Sequence, residues 1–131
     1  MSKLRSRRIQ VMKNSFFNIF KTKSTGINEG EKLAGEYLKK TGYKIICRNY
    51  KTKMGEIDII AMDKNVLVFV EVKQRKSAHF GAPREFVGYE KQRKIKNTAK
   101  LYILKNKYTG DLRFDVVEVL NGEINHIKNA F

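Results

Sequence analysis

The chain has 131 residues, which is enough for one hydrophobic core and too few for two independent domains. Its 28 Lys and Arg residues against 13 Asp and Glu give a formal net charge of +15. The expected partner is therefore a polyanion such as nucleic acid, with an anionic membrane surface as the alternative. No run of about 18 apolar residues and no secretory signal pattern occurs, which excludes a membrane span and favours a cytoplasmic protein.

Residues 1–24 read as a basic N-terminal tail that contains seven of the Lys and Arg residues and no acid. Ile9, Met12, Phe16 and Phe20 recur at helical spacing, which is typical of a short amphipathic helix. A tail that orders only on a polyanion is the favoured interpretation, and membrane contact by the tail is disfavoured. Residues 25–131 are predicted to form the domain, which is itself basic, with 21 basic residues against 13 acidic ones.

The domain is predicted to begin with a helix over residues 28–41. Asn28 can cap its start, glutamates occupy the first turn, and Gly42 ends it. Glu31 shares the apolar stripe of Ala34 and Leu38, so its side chain is expected to point at the core or a cleft.

Three predicted strands follow, and then a second helix and a further strand. The strands span 43–51, 55–63 and 66–75, a loop covers 76–88, the helix covers 89–107, a strand covers 112–120, and a short edge strand covers 124–130. The only cysteine lies in the first strand, so a bound metal would be held by oxygen rather than thiolate. This order predicts an α/β domain, a mixed β-sheet flanked by helices with an α-β-β-β-α-β core.

The stretch "GEIDIIAMDKNVLVFVEVKQR" predicts a central hairpin that contains unusual charges. With a two-residue loop at 64–65, Asp58 lies opposite Glu71, and Glu56 lies opposite Lys73. Directly opposed side chains have Cβ atoms about 4.5–5.5 Å apart, so two carboxylates would be forced together. A three-residue loop would break this arrangement, but the apolar residues of the other face also match in the two-residue register: Ile57 with Val72, Ile59 with Val70, and Ala61 with Val68.

Two carboxylates that must stay close need a shared proton or a cation between them. Magnesium binds through one or two carboxylates together with substrate phosphate, which suits Asp58, Glu71 and a polyanionic partner. Lys73 is then placed to hold a phosphate oxygen or to orient the attacking water. The alternative is a structural cluster in which Lys73 and Glu56 form a surface ion pair and Asp58 is merely solvated. The residues alone leave both interpretations open.

Asp58 followed by "EVK" at 71–73 is similar to the Asp…Glu-x-Lys signature of the restriction-endonuclease-like, or PD-(D/E)xK, superfamily. Over residues 28–120 the chain resembles the bacterial YraN family, also called UPF0102, through "GEKLAGEYLKKTGYK", "FGAP", "KQRKI" and "RFDVVEV". This resemblance implies a restriction-endonuclease-like fold. Archaeal Holliday-junction resolvases have a similar layout and add a glutamate on the first helix, where Glu31 stands.

The resemblance implies a catalytic set of Glu31, Asp58, Glu71 and Lys73. It implies Mg²⁺ or Mn²⁺ held by Asp58, Glu71 and the backbone carbonyl of Val72, with Glu31 as an optional ligand. The implied function is a metal-dependent endonuclease that cleaves DNA in preference to RNA and is structure-selective or nonspecific. The alternative is a non-catalytic nucleic-acid-binding module in repair, recombination or DNA uptake.

Basic residues around and after the predicted site are expected to contact phosphates. Such contacts position nucleic acid without reading its bases, and no base-reading motif occurs. Whether the protein forms a homodimer is left open. The predicted nucleic-acid-binding residues are Arg75, Lys76, Arg84, Lys91, Arg93, Lys94, Lys96 and Lys100.

Overall fold

The computed structural model describes residues 28–75 and 87–131. Its elements confirm the α/β class, and both strands of the central hairpin begin and end at the predicted residues. The predicted tail over 1–24 lies outside the described residues, and the division of the chain at that point stays a prediction. In chain order the elements are α1 (Glu29–Lys40), β1 (Lys44–Thr52), β2 (Gly55–Asp63), β3 (Val66–Arg75), α2 (Tyr89–Asn106), β4 (Asp111–Leu120) and β5 (Glu123–Ile127).

The first helix begins and ends where its capping residues predict. The Asn28 side chain accepts a hydrogen bond of 2.7 Å from the Glu31 backbone N–H. After the helix, Gly42 has a φ of 98°, a conformation that favours glycine and turns the chain toward β1. Neither helix of the described ranges is long and apolar enough to cross a lipid bilayer.

The five strands form one mixed sheet in the order β1-β2-β3-β4-β5. All neighbours are antiparallel except β3 and β4, which are parallel. Parallel neighbours need a long crossover, and α2 lies within the chain segment that connects them. The second helix therefore starts after the carboxyl end of β3, the end that contains Glu71 and Lys73.

In the part of the chain that the structure describes, each face of the sheet packs against one helix. On one side Ala34 and Leu38 of α1 contact a cluster of buried β-strand residues that includes Ile59 and Val70. On the other side α2 packs on a cluster in which the rings of Phe69 and Tyr102 meet edge to face, 5.9 Å between centroids. The buried residues of α2 are Ile95, Thr98, Ala99 and Tyr102.

The register of the β2–β3 hairpin is the predicted one near its turn. The pairs run from Asp63 with Val66 to Ile59 with Val70, which confirms the two-residue loop at 64–65. Beyond Ile59 the ladder stops among the described residues, so the predicted pairing of Asp58 with Glu71 is wrong as a backbone register. The predicted pairing of Glu56 with Lys73 is wrong for the same reason.

The sheet separates between β2 and β3 at this point. From Gly55 to Ile57 the second strand pairs with β1 alone, whereas β3 continues on β4 as far as Arg75 opposite Leu120. The two central strands therefore diverge, and each is supported by its outer neighbour.

The backbone of β2 also changes its orientation beside the separation. Residues two apart normally share a sheet face, yet Ile59 packs in the α1 cluster and Ile57 in the α2 cluster. The expectation that both share one face is therefore wrong. Asn49, at the matching place in β1, has a φ of 52°, which marks the same local change in the neighbouring strand. Asp58 lies at the centre of this irregularity.

Candidate active site

The carboxylate of Asp58 takes the place of a missing backbone partner in the gap between the two strands. The Val72 N–H donates a hydrogen bond of 2.8 Å to Asp58 Oδ2. In a strand, the N–H and C=O of one residue point toward the same neighbour, so the Val72 carbonyl is expected to face this gap as well. Its role as a metal ligand stays a prediction that this orientation favours.

Asp58 and Glu71 are brought together despite the broken ladder. Burial raises the pKa of Asp58 to about 8, assisted by the charge of Glu71 and by a side-chain hydrogen bond to it, while the bond from Val72 opposes the shift. Glu71 itself is only 4% exposed. The carboxyl of Asp58 therefore keeps its proton to a higher pH than an ordinary aspartic acid does.

Glu31 supplies a third carboxylate from the first turn of α1. Its Oε1 is buried and has no hydrogen-bond partner among the described residues. Burial raises the pKa of Glu31, the nearby Asn49 side chain lowers it, and the charges of Glu56 and Glu71 raise it further. Glu31 thus lies on the buried side of α1, as its spacing from Ala34 and Leu38 predicts. An unpartnered buried oxygen is an available ligand atom.

Lys91, in the first turn of α2, contacts the carboxylate pair through Glu71. Its Nζ lies 2.5 Å from Glu71 Oε2, with a side chain that is 54% exposed against 4% for the glutamate. Burial lowers the pKa of Lys91, but the hydrogen bond to Glu71 and the charges of Glu71 and Asp58 raise it more. The sequence pointed to Lys91 only as a phosphate contact. Because α2 begins the crossover after β3, connection geometry was a signal that its first turn lies near Glu71.

Lys73 and Glu56 do not form the ion pair of the structural alternative. Glu56 Oε2 lies 3.6 Å from Lys51 Nζ at the exposed edge formed with β1. Lys73 is half-buried and pairs in the β3–β4 register with Glu118. Two residues from Glu71, it lies on the same side of β3 and borders the carboxylate pair.

The remaining predicted phosphate-binding residues fall into distinct surroundings. Lys76 and Arg84 lie outside the described residues. Arg75 contacts buried Glu118, with 2.5 Å between Nε and Oε2, so its role toward nucleic acid stays a prediction. The predicted phosphate-binding residues that lie on α2 are all exposed: Lys91, Arg93, Lys94, Lys96 and Lys100.

The donor atoms suit a hard divalent cation held by two carboxylates. Within residues 28–75 and 87–131, no three Asp, Glu, His or Cys side chains stand together as a ready metal cage. Magnesium does not require one, since it keeps several waters and takes one or two carboxylates plus phosphate. Asp58 and Glu71 meet that requirement, and the unpartnered Oε1 of Glu31 is a further oxygen nearby.

A second polar cluster, which sequence reasoning missed, joins the C-terminal segment to α1. Asp115 is fully buried and contacts Arg113 Nε at 2.8 Å and His126 Nε2 at 2.8 Å. His126 Nδ1 lies 3.0 Å from the Tyr37 hydroxyl on α1. The hydrogen bonds from His126 and Arg113 outweigh the opposing effect of burial and lower the pKa of Asp115 to about 2. These contacts connect β4, β5 and α1 within the fold.

The fold and the site define an α/β protein with a carboxylate pair at a split between two central strands. The model of the family described as "Uncharacterised protein family UPF0102" matches residues 30–119, and the chain belongs to that family. A UPF0102 protein of Caldanaerobacter subterraneus is 50% identical over 117 residues, covering 83% of this chain and 96% of the relative. One from Persephonella marina is 47% identical over 104 residues, covering 79% and 90%. The matched range includes all four predicted catalytic residues.

Proposed function

We propose that this protein is a metal-dependent endonuclease that hydrolyses phosphodiester bonds in DNA, structure-selectively or without sequence preference. The observation that carries the proposal is the contact of Asp58 with Glu71 at the place where β2 and β3 separate. A buried carboxylate pair opposes folding unless a proton or cation neutralises it. Such a pair is useful where a divalent cation must be held beside a phosphate.

Each residue of the gap would have its own role in such a reaction. Asp58, Glu71 and the Val72 carbonyl would hold Mg²⁺ or Mn²⁺, with Glu31 as an additional oxygen. When bound, the ion supplies stabilisation of the charge that develops on the phosphate and a lower pKa for the attacking water. Lys73, beside Glu71 on the same strand, would donate to a phosphate oxygen or orient the water.

The exposed face of α2 supports nucleic acid as the substrate. Six basic side chains lie on this helix, whose first turn reaches the carboxylate pair through Lys91. Contacts of this kind hold the phosphate backbone and are weakened by salt. DNA is preferred over RNA through the resemblance to the PD-(D/E)xK signature, and a cytoplasmic location remains the expectation.

The test is a cleavage assay with the purified full-length chain and either Mg²⁺ or Mn²⁺. The labelled substrates are a four-way junction, a flap, single-stranded DNA, duplex DNA and RNA. The variant Asp58→Asn removes the charge at the gap with little change of shape. Asp111→Asn is the matched control, because Asp111 is exposed at the start of β4, five residues before the position opposite Glu71.

Cleavage that requires the metal, persists in Asp111→Asn and is lost in Asp58→Asn would support the proposal and identify the preferred substrate. Salt-sensitive DNA binding without cleavage under either metal would contradict it. That result would favour the second candidate, a non-catalytic nucleic-acid-binding module. The observation that favours a binding module is the Lys91–Glu71 ion pair, which neutralises one carboxylate without any metal.

A further inference from the structure

The ion pair between Lys91 and Glu71 points to a competitor for the metal that is built into the chain. We propose that the Lys91 ammonium occupies the cation position beside Glu71 in the ion-free protein and leaves it when a divalent cation binds. The released ammonium then contacts a phosphate of the substrate. This inference rests on the proposed function, because it concerns the same carboxylate pair.

The Lys91 side chain contacts Glu71 and also extends into solvent. Its Nζ lies 2.5 Å from Glu71 Oε2, so the ammonium is in direct contact with the carboxylate. The glutamate is fixed on a central strand and 4% exposed, whereas the lysine side chain is 54% exposed. A lysine has a flexible four-carbon stem. The ammonium can therefore leave by rotation of the side chain, without movement of α2.

The two cations compete for this carboxylate. A magnesium ion would bind a Glu71 oxygen at about 2.0–2.1 Å and requires near-octahedral surroundings. Nζ contacts Glu71 Oε2, so an ion bound to this carboxylate would lie close to the ammonium, and two cations repel each other strongly where charge is poorly screened. Movement of the ammonium into solvent relieves this repulsion, because the Lys91 side chain is 54% exposed.

This exchange connects metal loading with substrate binding. Without the ion, Lys91 neutralises Glu71, so the chain folds with the carboxylate pair intact. With the ion, the ammonium is released at the rim of the same gap, beside the position where a phosphate would sit. Lys94, three residues further along α2, is exposed, its Cβ and backbone lie beside Gly55 at the start of β2, and it forms no ion pair with Asp58 or Glu71 among the described residues. It is the matched control position.

The first measurement is Mn²⁺ binding to the full chain by isothermal titration calorimetry. The proteins are wild type, Lys91→Met and the control Lys94→Met, each of which loses one positive charge. We expect Lys91→Met to bind Mn²⁺ at least about fivefold more tightly than wild type, the lower end of ordinary coupling between two ligands. Lys94→Met should stay within about twofold, because a charge without carboxylate contact acts only through screened attraction.

The second measurement follows the chemical reactivity of the Lys91 amine. Wild-type protein is treated briefly with an amine-acylating reagent, with and without Mg²⁺, and labelling of each lysine is quantified by mass spectrometry. An ammonium bound to Glu71 reacts slowly, so Mg²⁺ should increase labelling of Lys91 and leave Lys94 and Lys100 unchanged.

The outcomes separate this inference from the proposed function. If Mn²⁺ binds wild type and both lysine variants with equal affinity, or if saturating Mg²⁺ leaves Lys91 labelling unchanged, competition is refuted while the metal site stands. If no variant binds Mn²⁺, both the metal site and the competition are refuted. Tighter binding in Lys91→Met alone, together with faster labelling, would establish the exchange.

Discussion

Replacing Asp58 with asparagine should stabilise the ion-free protein while it removes the proposed activity. The asparagine has the shape of a protonated aspartic acid, so it can still accept the Val72 N–H bond and can donate toward Glu71. Asparagine cannot take the negative charge, which burial and the neighbouring Glu71 carboxylate make unfavourable. Because this unfavourable charge is absent from the variant, its free energy of unfolding should be higher than that of wild type.

The difference in free energy of unfolding between the asparagine variant and wild type should increase with pH. The pKa of Asp58 is raised to about 8 in the folded chain, whereas an unfolded aspartate titrates near its ordinary value of about 3.9. Between these values the folded state holds a proton that the unfolded state has released, so wild-type stability falls by up to ~1.4 kcal/mol per pH unit. The asparagine variant does not lose this stability. Its advantage should be absent near pH 4, grow as pH rises, and level off above about pH 8.

Relaxation around the pair will make the stability difference between the two proteins smaller than this upper limit. Lys91 contacts Glu71 and interacts with the charge of Asp58, so its ammonium can partly stabilise the ionised aspartate. We expect a gain of about 1–3 kcal/mol at pH 7.5, on the order of 4–10 °C in Tm for a domain of this size. Urea unfolding of both proteins in metal-free buffer at pH 5 and pH 7.5 measures it. A variant that is less stable at pH 7.5, or a difference that is equal at both values, would refute the reasoning.

Two further substitutions test the packing that positions the site. Asp115→Asn leaves Arg113 and His126 without their buried carboxylate, and urea unfolding at pH 7 should show a loss of about 2–4 kcal/mol. Because the pKa of Asp115 is lowered to about 2, its contribution exists above about pH 4 and disappears as pH falls through 2, so an unchanged deficit at pH 2 would contradict this account. Gly35→Ala would place a Cβ 2.3 Å from the guanidinium nitrogens of Arg48, the far end of a flexible side chain that must shift, so we expect a loss of only about 1 kcal/mol in thermal or urea unfolding. An alanine variant as stable as wild type would show that Arg48 moves freely.

Local sequence predicted the elements and much of the hairpin because the relevant interactions are local. Asn28 and Gly42 delimit α1 through capping and a positive φ, both of which act within one turn of helix. The two-residue loop at 64–65 and the apolar alternation fixed the register from Asp63 back to Ile59. The proximity of Asp58 and Glu71 followed from that register, although the ladder itself ends one pair earlier.

The features that sequence patterns missed depend on contacts between distant parts of the chain. Strand alternation assumes a regular ladder, so it cannot show that β2 follows β1 and β3 follows β4 until the central pair separates. The contact of Lys91 with Glu71 depends on where the crossover places α2. The His126–Asp115 contact depends on how β5 pairs with β4.

The sequence by itself determined the fold class, the basic character of the chain, and the residue types that can hold a cation beside a phosphate. These follow from composition, capping and periodicity, which are properties of short segments. Only the tertiary structure decided that Asp58 spans a gap to the Val72 N–H, that Glu31 keeps an unpartnered oxygen, and that Lys91 contacts Glu71. The physical reason is that burial and charge proximity arise between elements, so a carboxylate's surroundings are set by the helices and strands packed around it.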